Sequence, residues 1–229
     1  MNNYHNLINN FNIFGHKNDE LSQIFLVKYI MEVRDIENII FDIDSTMIVH
    51  KPHGKQVTIY KRPYLEDFLD YCFKKYKNIA LWTHASESWA RIIVGKVLRP
   101  RKWSFILTIQ SAETHIIRDP PEICRMKGQC EEETYMIKNL NKIWSNPTFR
   151  NMGFRSNNTV IIDDTHTNSI KNEKNAIICP PYEIPNNNGD YDMFMLALLT
   201  IFEKRKHIKI SDIPEIYMKW WKKFLKNIN

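Results

Sequence analysis

Apolar residues fall along this chain in two patterns, short unbroken runs and longer stretches at helical spacing. Ile39-Ile40-Phe41 runs straight into Asp42-Ile43-Asp44-Ser45-Thr46. A run so short, of β-branched and aromatic residues, suits a strand covered on both faces, as in a parallel sheet. Ile79–Trp82, Phe105–Ile109, Asn158–Ile162 and Ala176–Cys179 repeat the pattern and predict further strands. Pro63–Lys77 predicts a helix, with Leu65, Phe68, Leu69, Cys72, Phe73 and Tyr76 on one face and Pro63 in its first turn, where the missing N–H costs nothing. A helix capped by Ser86 carries the stripe Trp89, Ile92, Ile93 and Val97. Glu132–Trp144 reads as a helix bearing Lys138, and Tyr191–Glu203 and Pro214–Leu225 as two more. Glu20–Arg34 reads as an accessory helix behind a polar, Asn-rich arm. Thr46–Tyr60, with Pro52, Gly54 and the β-like run Val57–Tyr60, reads as a hairpin flap. Gln110–Gln129 reads as irregular and Pro185–Gly189 as a turn. Strands alternating with helices imply an α/β fold: a doubly wound parallel sheet of about five strands flanked by helices, with a short flap.

Composition narrows this little. A length of 229 residues with 43% hydrophobic and 25% charged residues is that of one globular domain. The expected division is an arm and accessory helix over 1–35, the α/β domain over 36–204, and a basic amphipathic helix over 205–229 packed upon it. The net charge of +6 suits anionic partners. Lys and Arg are scattered, so nucleic acid is tolerated rather than favoured. The N-terminus lacks a charged start followed by an apolar signal core, and it lacks an arginine-rich mitochondrial leader. Met193–Phe202 is too short to span a bilayer. Cys72 and Cys179 lie in apolar segments as buried thiols, and none of the four cysteines forms Cys-x-x-Cys. His115, Cys124 and Cys130 fit no common zinc spacing. A reduced, intracellular protein of cytoplasm or nucleus, neither secreted nor membrane-bound, is the expectation.

The chemistry lies at the strand ends. The first predicted strand ends in Asp42 and Asp44, the second in Thr83 and the fourth in Asp163 and Asp164. Parallel strands bring those ends to one edge, where α/β sheets bind ligands. Crowded carboxylates call for a hard cation such as Mg²⁺. Phosphoryl transfer through a carboxylate needs such a set. One Asp attacks phosphorus, a second acid handles the leaving-group proton and then water, and a hydroxyl and a lysine, here Lys138, bind the remaining oxygens.

Asp42-Ile43-Asp44-Ser45-Thr46 resembles the first motif of the haloacid dehalogenase superfamily. Leu81-Trp82-Thr83-His84-Ala85-Ser86, Tyr135-Met136-Ile137-Lys138 and Val160-Ile161-Ile162-Asp163-Asp164 resemble its second, third and fourth motifs, in the right order. Lys61-Arg62-Pro63 resembles the segment that marks the branch of phosphatases acting on the C-terminal repeats of RNA polymerase II. The resemblance implies that Asp42 is the nucleophile and Asp44 the acid/base. Asp42, Asp44 (with its carbonyl) and Asp163 would serve Mg²⁺; Thr83, Lys138 and Thr46 would bind phosphate. Asp164, His84 and Arg62 are accessory positions. It further implies a phosphoprotein serine/threonine phosphatase working through an aspartyl-phosphate, with the polymerase repeats as a candidate substrate. The alternatives are a phosphatase of nucleic-acid 3′ ends and an inactive binding protein of the same fold; the presence of both Asp42 and Asp44 argues against the latter. His84 stands where a small residue is common, and Gln110–Gln129 matches the family poorly.

Overall fold

The structure, a computed structural model, describes residues 35–54, 56–184, 192–205 and 207–214. The arm, the accessory helix, the turn at 185–189 and all but the start of the C-terminal helix read from the sequence lie outside them.

The predicted runs pair as one parallel sheet. Strands β1 (Asn38–Phe41), β4 (Asn78–Trp82), β5 (Ile106–Leu107), β8 (Thr159–Asp163) and β9 (Ala176–Ile178) lie in the order β5-β4-β1-β8-β9. The third predicted strand, read as Phe105–Ile109, shortens to the two-residue edge strand β5. Successive residues of β1 serve opposite faces. Ile39 and Phe41 join one apolar cluster, with Leu65, Phe68, Leu198 and Phe202, while Ile40 joins another, with Trp82, Leu140, Phe154 and Ile161. That double burial explains an apolar run without alternation.

Helix α1 (Leu65–Lys75) packs on the first face beside α6 (Phe194–Lys204), through a Phe68–Phe202 edge contact at 5.6 Å and a hydrogen bond from the Tyr71 hydroxyl to the Phe202 carbonyl. Helix α1 starts two residues later than expected. Tyr64 at its N-cap takes a left-handed conformation with φ 60°, so Pro63 lies in the preceding turn rather than inside the helix. Helix α2 (Glu87–Ile92) is capped as expected, the Ser86 hydroxyl accepting from the Trp89 N–H, but it passes into a wider π turn over Ile93–Val97. Ile92 lies at the surface, at 41% exposure, and Ala90 and Ile93 are the buried residues of this segment.

The flap is present as β2 (Ile48–His53) paired antiparallel with β3 (Gln56–Lys61). A second hairpin was not foreseen. Strand β6 (Glu113–Arg118) pairs residue for residue with β7 (Glu132–Ile137), and helix α3 (Pro121–Lys127) closes its end. Two expectations are thereby corrected. The span 110–129 is ordered: Pro121 opens α3 and Gly128, at φ 71°, ends it in the left-handed conformation that favours glycine. Residues 132–137 are a strand rather than the front of a helix; only Tyr135 and Ile137 turn inward, at a spacing of two. Helical structure resumes beyond Lys138, in α4 (Asn141–Ser145) and α5 (Pro147–Met152). The turn at Gly128 also carries Cys130 back to Cys124, and the two form a disulfide with Cα atoms 4.5 Å apart. The reading of all four cysteines as reduced is corrected for this pair, whereas Cys72 and Cys179 are free and buried.

Candidate active site

Strand order fixes where the site lies. The chain leaves β1 toward β4 on one side, and β8 leads to β9 on the other. Such a reversal opens a crevice at the carboxyl ends of the two central strands. Phe41 is level with Ile162 and Leu81, and the Asp42 N–H donates to the Ile162 carbonyl. Asp42 and Asp163 therefore emerge side by side at that crevice, with Thr83 just past the end of the neighbouring strand.

Lys138 joins them. Its Nζ lies 2.5 Å from Asp42 Oδ1 and 2.7 Å from Asp163 Oδ2, and all three side chains are almost wholly buried. The lysine is delivered by the loop leaving β7, not by a helix, and its backbone N–H donates to the Asn168 carbonyl. Asn168 also donates from Nδ2 to both Asp163 oxygens, at 2.9 and 3.2 Å, and the Thr165 N–H donates to Asp163 Oδ1. Asn168 escaped the sequence reading because a single Asn in a polar loop carries no local signal.

Carboxylate oxygens of Asp42, Asp163 and Asp164 lie within 4.8 Å of one another. Burial pushes the Asp42 carboxyl up to about 7; Lys138 opposes the rise, and Asp163 and Asp164 add to it. Asp164 is raised by burial and then by Asp163. Burial pulls Lys138 down, but Asp42 and Asp163 more than reverse it, so the ammonium is held above its ordinary range. Three acids against one lysine leave surplus negative charge in a dry pocket. Hard oxygen donors in that state fit a small divalent cation such as Mg²⁺.

The remaining predicted residues divide. Thr83 is buried, and its Oγ1 accepts from the Ala85 N–H at 3.0 Å. The Thr46 hydroxyl donates to Asp164 Oδ1 and accepts from the Asp164 N–H, so it orients that acid. The Asp44 side chain stands outside the carboxylate cluster, a third exposed, and takes a hydrogen bond from Trp89. His84 keeps a buried Nε2 that finds no hydrogen-bond partner among the described residues, and burial, then Lys138, holds its pKa down to about 4, leaving a neutral imidazole.

Arg62 is a clamp away from the acids. It donates to the carbonyls of Thr46 and Pro180, pairs with Asp192 at 2.8 Å, and lies 4.7 Å over the Phe194 ring. One guanidinium thus ties the turn after β1 to the segments around β9 and α6. Arg62→Met should lower unfolding free energy by about 3–5 kcal/mol, since Asp192 loses its partner and two carbonyls lose a donor. Arg62→Lys should recover only part, lacking the planar fork. Urea unfolding of both variants checks this.

A parallel sheet with acids at its switch point and a lysine bridging two of them is the arrangement that the resemblance to the haloacid dehalogenase superfamily implies. Within it, the chain belongs to the NLI interacting factor-like phosphatase family, whose model matches residues 37–214. It is 25% identical over 191 residues to the CTD phosphatase-like protein 355R of Invertebrate iridescent virus 6, covering 74% of this chain and 98% of that one. It is 26% identical to a ubiquitin-like domain-containing CTD phosphatase of Arabidopsis thaliana and 23% identical to the Homo sapiens protein of that description. Those matches cover 81% and 82% of this chain but 51% and 54% of theirs, so the chain spans about half the length of these relatives. The solved structure of Fcp1, an RNA polymerase II CTD phosphatase, aligns over 90% of this chain and 57% of its own, at TM-score 0.37 and 18% identity. Among the described residues no helix is long and apolar enough to cross a membrane.

Proposed function

We propose that this chain is a Mg²⁺-dependent phosphatase of phosphoserine and phosphothreonine in proteins, acting through an aspartyl-phosphate on Asp42. The observation that carries the reading is the Lys138 ammonium set between Asp42 and Asp163. It opposes the burial that drives Asp42 toward its neutral form, and so favours the nucleophilic carboxylate, and it supplies positive charge where phosphoryl oxygens gather.

An Asp42 oxygen attacks phosphorus. The bond to the leaving oxygen breaks, and that oxygen takes a proton from Asp44. Asp44, now a carboxylate, removes a proton from water. The water oxygen attacks phosphorus, the bond to Asp42 breaks, and phosphate departs. Lys138 and Thr83 hold the phosphoryl oxygens throughout, while Thr46 and Asn168 keep Asp164 and Asp163 in place. Asp42, Asp163 and Asp164, with the Asp44 carbonyl, would hold Mg²⁺, which supplies charge neutralisation between carboxylates and phosphate.

The names of the relatives favour a phosphoprotein substrate, with RNA polymerase II repeats as the first to try. Phosphopeptides, a 3′-phosphorylated oligonucleotide and an aryl phosphate, assayed with EDTA and with added Mg²⁺, test the proposal. Turnover of the peptides should exceed that of the oligonucleotide, vanish with chelator and return with Mg²⁺. No metal-dependent turnover of any ester would reject the enzyme reading.

A further inference from the structure

Asp44 is held from one side. Its Oδ1 accepts from the Trp89 indole Nε1 at 2.9 Å, and among the described residues no hydrogen bond reaches Oδ2. Trp89 stands in the first turn of α2, whose start the Ser86 cap fixes. The indole also meets the His50 ring of flap strand β2, edge-on with centroids 4.9 Å apart and planes at 63°. His50 Nδ1 lies 3.6 Å from the same Asp44 Oδ1. Two other pieces of the chain, the flap and the helix after β4, thus converge on one oxygen of the carboxylate that the turn after β1 carries.

A neutral N–H donor on Oδ1 does two things. It fixes the rotation of the carboxylate, and it makes Oδ2 the oxygen that carries a proton when Asp44 is protonated, because Oδ1 is already accepting. We propose that Trp89 is the positioning residue of the Asp44 acid/base, presenting Oδ2 to the leaving oxygen, and that His50 braces the indole from the flap. This rests on the aspartyl-phosphate reading above. As the ester bond breaks, the proton on Oδ2 passes to the leaving oxygen, and Asp44 is left as a carboxylate tethered at Oδ1. Loss of the tether should therefore matter most where the leaving group most needs a proton.

Trp89→Phe keeps an aromatic ring against His50 and removes the N–H. The readout is kcat/KM over esters of rising leaving-group basicity: 4-nitrophenyl phosphate, phenyl phosphate and a phosphoserine peptide. For a two-step reaction kcat/KM reports only events up to cleavage of the first P–O bond. The expected loss is about tenfold for the peptide and several-fold smaller for the nitrophenyl ester. His50→Ala, which leaves the N–H but removes the brace, should show the same trend at smaller size. A uniform loss across the series, or none, overturns the proposal while leaving the aspartyl-phosphate reading intact, since Asp42→Asn separately reports on that. A wild-type chain inert toward all three esters removes both. Should Trp89→Phe not fold, the indole N–H resonance of the otherwise unaltered chain decides: it moves upfield in Asp44→Ala if the hydrogen bond is made, and a signal that stays put overturns the inference.

Discussion

Asp42→Asn is expected to abolish hydrolysis of every phosphate ester the wild-type chain turns over, with kcat falling on the order of 10⁴-fold or more. Asparagine has the shape of the acid but cannot attack phosphorus. The fold should survive. Lys138 retains Asp163 at 2.7 Å, and the lost carboxyl is one that burial already drives toward its neutral form. The variant should melt no lower than the wild type in EDTA. A steady-state assay beside a thermal melt checks both halves, and unimpaired turnover in a folded variant would remove Asp42 from the mechanism.

Lys138→Met is the harsher change. It leaves Asp42 and Asp163 facing each other in a pocket with almost no access to water, with Asp164 close by. Breaking a buried ion pair from one side costs about 3–5 kcal/mol, because an uncompensated charge stays behind. Activity should fall by about 10²–10³-fold as well, if the lysine is the phosphoryl-binding cation proposed above. Adding Asp42→Asn to Lys138→Met should return part of the stability, since one of the facing acids is then neutral. Urea unfolding of the two single variants and the double variant gives the coupling directly. Additive losses would show that the lysine stabilises the pocket by packing alone.

The parts of the site legible in the sequence are those that strands announce. Burial on both faces makes a strand an unbroken apolar run, and a polar residue at its end marks the edge where ligands bind. Asp42, Thr83 and Asp163 all follow such runs, and all three lie at the carboxyl ends of strands that are neighbours in the sheet. Arg62 and Thr46 were legible as positions but not as roles. What a guanidinium or hydroxyl touches depends on segments more than a hundred residues away, Pro180 and Asp164 here.

Sequence by itself determined the five strands of the parallel α/β sheet, their order along the chain and the acids at the sheet's edge, because each follows from a local rule linking side-chain period to burial. Tertiary structure alone decided how Lys138 arrives, since residues 132–137 form a strand only by pairing with 113–118, across the turn that closes the Cys124–Cys130 disulfide. It decided too that the Asp44 side chain turns away from the other acids toward Trp89. Local periodicity reports which face of an element is buried. Which distant partner covers that face, and which donor reaches a given oxygen, is settled only when the whole chain has packed.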